Sequence, residues 1–120
     1  MGYPTDHDFE EARRHRTPPA QRRQTPLEEV QAERHRQDAK WGEQNHPDGT
    51  GQVVDIEYAD DVKAACDANH RAGIGTFRDI LEEEVAEAFA ESDPAKLRAE
   101  LLQVAAVAVA WVEAIDRRPK

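Results

Sequence analysis

The chain has 120 residues, with 25 acidic against 16 basic side chains and a formal net charge of -9. That length sets the expectation of one small domain, and the acidity excludes a general polynucleotide binder, which needs a basic stripe to displace counterions from phosphates. A single cysteine, Cys66, rules out an internal disulfide and a thiolate-rich zinc site and reads as a small buried apolar residue on a helix.

The first residues carry no apolar signal-peptide core, and no apolar run reaches membrane-spanning length. A cytoplasmic protein without a membrane partner is expected. Residues 1–24 mix charges with Pro4, Pro18 and Pro19 and show no sustained apolar period, which predicts a disordered or loosely docked tail. Its arginines, Arg13, Arg14, Arg16, Arg22 and Arg23, read as solvated.

Order is expected from Thr25 onward, in one domain over residues 25–120. Thr25-Pro26-Leu27-Glu28 has the spacing of a capping box with proline at the first helical position, predicting a helix from Pro26 to about Lys40 that ends near Gly42. The stretch GEQNHPDGTG (42–51) is a loop by composition. Asp55 is placed to cap a second helix bearing Ile56, Ala59, Val62, Ala65 and Cys66 at helical spacing, with Gly73 beyond its end. Thr76 opens a third helix, with Phe77, Ile80, Leu81, Val85, Ala88 and Phe89 on one face. Asp93-Pro94 breaks the chain and caps a fourth, whose stripe is Leu97, Leu101, Val104, Ala105, Ala108, Trp111, Val112 and Ile115. The short connection from Glu91 to Pro94 makes the last two helices an antiparallel hairpin. With no competing strand pattern, the fold class is all-α.

One position on the third helix needs an explanation. At about 100° per residue Glu84 falls between Leu81 and Ala88, inside the stripe that should face the core, where a carboxylate is costly unless its charge is compensated. Glu87 lies one turn further along at the edge of that stripe, and Glu100 occupies the corresponding border of the fourth helix beside Leu97 and Val104. Three crowded carboxylates take up protons unless a cation is present, and a hard divalent ion with oxygen ligands is the natural one. Magnesium, or manganese, suits such a set; zinc prefers nitrogen or sulfur. The competing reading is a solvated flank, since Glu82, Glu83, Glu84, Glu87 and Glu91 form a dense charge run.

Glu83-Glu84-Val85-Ala86-Glu87, followed after twelve residues by Glu100-Leu101-Leu102-Gln103, resembles the ExxE, spacer, ExxD signature of the all-α nucleotide pyrophosphohydrolases, the MazG-like and dimeric-dUTPase superfamily. This likeness spans roughly residues 77–115. A second patch, Glu33-Arg34-His35-Arg36-Gln37-Asp38-Ala39-Lys40-Trp41-Gly42-Glu43-Gln44 and on through His46-Pro47-Asp48-Gly49, is similar to the N-terminal segment of phage-type and actinobacterial MazG-like proteins.

The resemblance implies a four-helix bundle completed by oligomerisation, as a homodimer or homotetramer. It also implies magnesium-dependent hydrolysis of (deoxy)nucleoside triphosphates to the monophosphate and pyrophosphate. Glu84, Glu87 and Glu100 match the family's metal ligands by position, with Gln103 at the fourth. Glu83 either orients and deprotonates the attacking water, beside Glu84, or faces solvent. Gln103 stands where the family pattern has Asp; an amide oxygen still ligates magnesium but removes a negative charge. The chain is then either a subfamily working with three carboxylates or a degenerate helical module that binds nucleotides without turning them over. A hydrolase of another phosphorylated small molecule is a third reading.

Four further residues are candidates for substrate contact. Trp41, after a helix and before a Gly-rich loop, is suited either to stack on a base or to close over the core. Arg36 and Lys40, one turn apart, can meet phosphate oxygens or pair with Glu33 and Glu43. His46, near Asn45 and Asp48, can donate to a phosphate or a base edge, or serve the turn. His35 and His70 lack partners at metal-ligand spacing and receive no role. From Val104 to Val112 apolar residues spread beyond one stripe, as in a helix buried on more than one side, and a subunit contact is expected there.

Overall fold

In the computed structural model, residues 23–120 are described, so the predicted tail lies outside the description except for its last two positions. Every regular element among the described residues is an α-helix: α1 (Pro26–Trp41), α2 (Val53–Arg71), α3 (Phe77–Ala90) and α4 (Pro94–Asp116). The chain divides into two compact units at Gly42, inside the stretch read from sequence as one domain, with α1 in the first unit and α2 to α4 in the second.

The helix starts follow from local chemistry. Thr25 and Glu28 form the expected reciprocal box, the Glu28 N–H donating to Thr25 Oγ1 at 3.2 Å and the Thr25 N–H to Glu28 Oε1 at 3.3 Å. Thr76 and Asp79 repeat it at α3, with both bonds at 3.1 Å. At α4 the Lys96 N–H donates to Asp93 Oδ2 at 3.0 Å. Each such cap contributes about 1 kcal/mol.

At α2 the expectation is corrected. The helix begins three residues earlier than read, with Gln52 at the cap position in place of Asp55, and Asp55 reaches back to accept the Gln52 N–H at 3.2 Å. An acidic side chain three residues into a helix closes the same backbone gap from inside, so Asp55 stabilises the start without being the cap.

Within the second unit α3 is the middle helix, packed on both α2 and α4, which do not pack on each other. Both pairings are antiparallel, as the hydrogen bonds across α2 and α3 show: Tyr58 Oη donates to Glu82 Oε1 at 2.6 Å, and Asn69 Nδ2 to Asp79 Oδ2 at 3.4 Å. On the other side Phe77 at the start of α3 stacks on Trp111 near the end of α4, with ring centroids 5.8 Å apart and planes 8° from parallel.

The core is narrow: Val62 and Cys66 from α2, Ala86 and Ala88 from α3, and Leu97 from α4. On α4 the row turned inward is Leu97, Glu100, Val104, Val107, Trp111 and Ala114, while Leu101, Leu102, Ala105, Ala108, Val112 and Ile115 are exposed. The stripe read from sequence merged these rows because both are apolar; α3 covers only one. Phe89 and Ile56, also read as core-facing, are exposed. No helix among the described residues is long and apolar enough to cross a membrane.

Candidate metal centre

Glu100 belongs to the inward row of α4, between Leu97 and Val104, rather than to its border. The antiparallel hairpin sets it against Glu84 and Glu87, one turn apart on α3. One carboxylate oxygen from each of the three residues lies within 4.8 Å of the other two, and all three side chains are part-buried. None of the three forms an ion pair among the described residues.

The electrostatics register this crowding. Burial pushes the Glu84 carboxyl above its ordinary range, and the charges of Glu100 and then Glu83 push it further. Glu87 is raised by burial first, then by Glu84, Glu100 and Glu83, and by a hydrogen bond with Glu100. Packing and like charge thus disfavour the ionised form at both positions. The donor set is entirely oxygen, is contributed by two helices and converges on one point. It fits a hard divalent ion such as Mg2+ or Mn2+, which needs carboxylate oxygens and retains waters in its remaining positions.

Glu83 is turned toward α2, an arrangement neither sequence reading anticipated. Its Oε1 lies 3.7 Å from Lys63 Nζ, and its side chain is only 18% exposed. Burial, followed by the neighbouring Glu83 carboxylate and then Asp79 and Asp67, pushes the Cys66 thiol up to about 11. Lys63 is shared with Asp67 at 3.4 Å. Of the ion pairs among the described residues, Lys63 to Glu83 is the one that joins two helices. Sequence reasoning passed over Lys63, although it stands one turn before Cys66 on the same helix.

Gln103 is exposed, one turn beyond Glu100. His46 is exposed in the loop before α2, its Nε2 3.4 Å from Gln44 Oε1. On α1, Arg36 is engaged with Glu33, its Nε donating to Glu33 Oε2 at 2.8 Å, as the surface-pair alternative held. Lys40 Nζ sits 4.8 Å from the centroid of the Trp41 ring, and Trp41 is 63% exposed, so among the described residues of its unit it closes over no core. The structure therefore brings Glu84, Glu87 and Glu100 together, with Glu83 beside them on the α2 side.

Two residues that sequence reasoning missed fasten the loop to α3. The Gly51 N–H donates to the Phe89 carbonyl at 2.8 Å, and Thr50 Oγ1 donates to the Glu91 carbonyl at 2.6 Å. Only the glycine-rich composition of the loop hinted at a close backbone approach. No family model, curated protein or solved structure matches this chain.

Proposed function

We propose that the second unit is a magnesium-dependent nucleoside triphosphate pyrophosphohydrolase of the MazG-like kind, releasing nucleoside monophosphate and pyrophosphate. The observation that carries this reading is the three-carboxylate convergence of Glu84, Glu87 and Glu100 within 4.8 Å on two packed helices. An acidic flank that merely faced solvent would splay its charges apart; here packing forces them together at a cost that a cation removes. The spacing that resembles the family signature supplies the reaction type.

In this reading Glu84, Glu87 and Glu100 hold the ions on the α3 and α4 faces. Bound magnesium supplies screening of the triphosphate oxygens and a water of lowered pKa. Glu83, drawn toward Lys63, is better placed to brace α3 against α2 than to take a proton from that water. The exposed Gln103 adds no charge to the set, so three carboxylates carry the binding. The open row of α4, from Leu101 to Ile115, is the surface we assign to a second copy of the chain, giving a homodimer or a larger homo-oligomer.

A catalytically silent nucleotide-binding module remains the rival, and Gln103 favours it. Incubation with each ribo- and deoxynucleoside triphosphate, with magnesium and with chelator, separates the two. Pyrophosphate without orthophosphate, dependent on magnesium, is the expected result. Binding without release of either product would establish the rival, and orthophosphate alone would refute the proposed bond cleavage.

A further inference from the structure

The loop that leads into α2 is fastened at one point, and the fastening is specific at both of its residues. Helices leave their last carbonyls without intrahelical partners. At the end of α3 two of these are supplied from some forty positions earlier in the chain, the Phe89 carbonyl by the Gly51 N–H at 2.8 Å and the Glu91 carbonyl by Thr50 Oγ1 at 2.6 Å. Gly51 has φ +81°, and a Cβ built there would lie 2.7 Å from Ser92 Cβ. Only glycine fits this crossing without displacing its neighbour.

The latch stands at the acidic end of the α3–α4 hairpin. Glu87 is one turn before Glu91, and Glu100 is in the second turn of α4, which starts at Pro94. A chain extends at most about 3.5 Å per residue, so His46 and Asn45 are tethered within about 14–18 Å of the latch. Residues 43–52 contain no lysine or arginine, which makes them a poor partner for phosphates. They do offer Gln44, Asn45 and His46, exposed groups that both donate and accept hydrogen bonds and so match the mixed edge of a nucleobase. Their hydrogen bonds among the described residues are local: Asn45 Nδ2 to Glu43 at 2.9 Å, and His46 to Gln44 at 3.4 Å.

We propose that Thr50 and Gly51 are positioning residues that fix the 43–49 loop as the nucleoside-facing wall of the acidic site, so that the carboxylates govern the triphosphate and the loop governs the base. This rests on the pyrophosphohydrolase reading above. The test compares two probes by calorimetry in the presence of Mn2+: inorganic tripolyphosphate, which has no nucleoside, and α,β-methylene nucleoside triphosphates carrying each base, with ribose and deoxyribose.

Thr50→Val, which keeps the shape and removes the donor, lowers affinity for the best-bound nucleotide by about tenfold, the scale of one lost hydrogen bond, and leaves tripolyphosphate unchanged. Thr50→Ser restores the nucleotide affinity. Gly51→Ala behaves like Thr50→Val if it folds; Thr50→Val carries the test if it does not. Equal losses on both probes, or no loss on the nucleotides, overturn the proposal while leaving the phosphate site intact. A wild-type chain that binds neither probe overturns the pyrophosphohydrolase reading itself, and this proposal with it.

Discussion

Replacing Glu84 by glutamine in metal-free protein should make the fold more stable. The oxygens of Glu84, Glu87 and Glu100 lie within 4.8 Å of one another. At that separation two unit charges repel by about 3.5 kcal/mol at an effective dielectric of about 20 and by about 0.9 kcal/mol in bulk water. The three side chains are part-exposed, so each pair falls between these limits, and Glu84 belongs to two of the three pairs. Proton uptake relieves some of the repulsion in the wild type, which leaves an expected gain of about 1–2 kcal/mol for Glu84→Gln near pH 8, or a Tm about 5–10 °C higher for a unit of this size.

The pH dependence sharpens this test. Glu84 and Glu87 bind protons more tightly in the folded chain than their ordinary value of 4.5, so the folded state holds more protons than the unfolded state through that window. Their contribution to wild-type stability is therefore fully present below about 4.5 and is lost as pH rises through the raised folded values. Asp79 is held low, first by its bond from the Thr76 backbone, and works in the opposite sense. It is common to both proteins and cancels in the comparison.

Thermal unfolding followed by circular dichroism from about pH 4 to pH 8, after removal of divalent ions, should show the two proteins converging in acid and the variant ahead at neutral pH. Millimolar Mg2+ should then raise the wild-type Tm by mass action and move the variant much less. A variant that is less stable at pH 8 without metal, or a difference that does not change with pH, would refute the argument that crowded carboxylates create the cation site.

Other expectations follow from the same structure. Gln103→Asp adds a fourth carboxylate one turn from Glu100 and should tighten Mn2+ binding by about tenfold in a calorimetric titration; unchanged affinity would show that the exposed side chain does not reach the ions. Cys66, with its thiol pushed up to about 11 and its side chain buried, should react with a thiol reagent near pH 8 far more slowly than in denaturant; equal rates would contradict that burial. Leu102→Glu, on the open row of α4, should shift the mass measured by light scattering from oligomer to monomer, and a wild type already monomeric at high concentration would remove the assignment of that row to a second copy.

What the sequence made legible was mostly local. The capping boxes at Thr25 and Thr76 and the Asp93-Pro94 break are decided by residues within one turn, so the helix starts they imply agree with the structure to within a residue or two. At Asp55 a side chain three residues into the helix serves the same backbone gap as a cap, and the pattern alone does not separate the two. On α4 every position from Val104 to Val112 is apolar, so periodicity could not show that the row through Glu100 faces α3 while the row through Leu101 stays open. That choice matters for the site, because it carries Glu100 inward to Glu84 and Glu87.

The surroundings of the acids were illegible for another reason. Lys63 to Glu83, Tyr58 to Glu82 and Thr50 to Glu91 each join residues far apart in the chain, and within the run from Glu82 to Glu87 no local signal distinguishes an acid that faces α2 from one that faces α4. Only the packing of α3 between two helices separates Glu83 from its neighbours.

The most direct test of the central claim is hydrolysis in 18O-labelled water with magnesium, followed by mass spectrometry of the products. Attack on the α-phosphorus places the label in the nucleoside monophosphate and none in pyrophosphate, and Glu87→Gln abolishes the reaction while the helical spectrum survives. Label in pyrophosphate or orthophosphate, or full turnover by Glu87→Gln, would contradict the assignment of these carboxylates to a pyrophosphohydrolase metal centre.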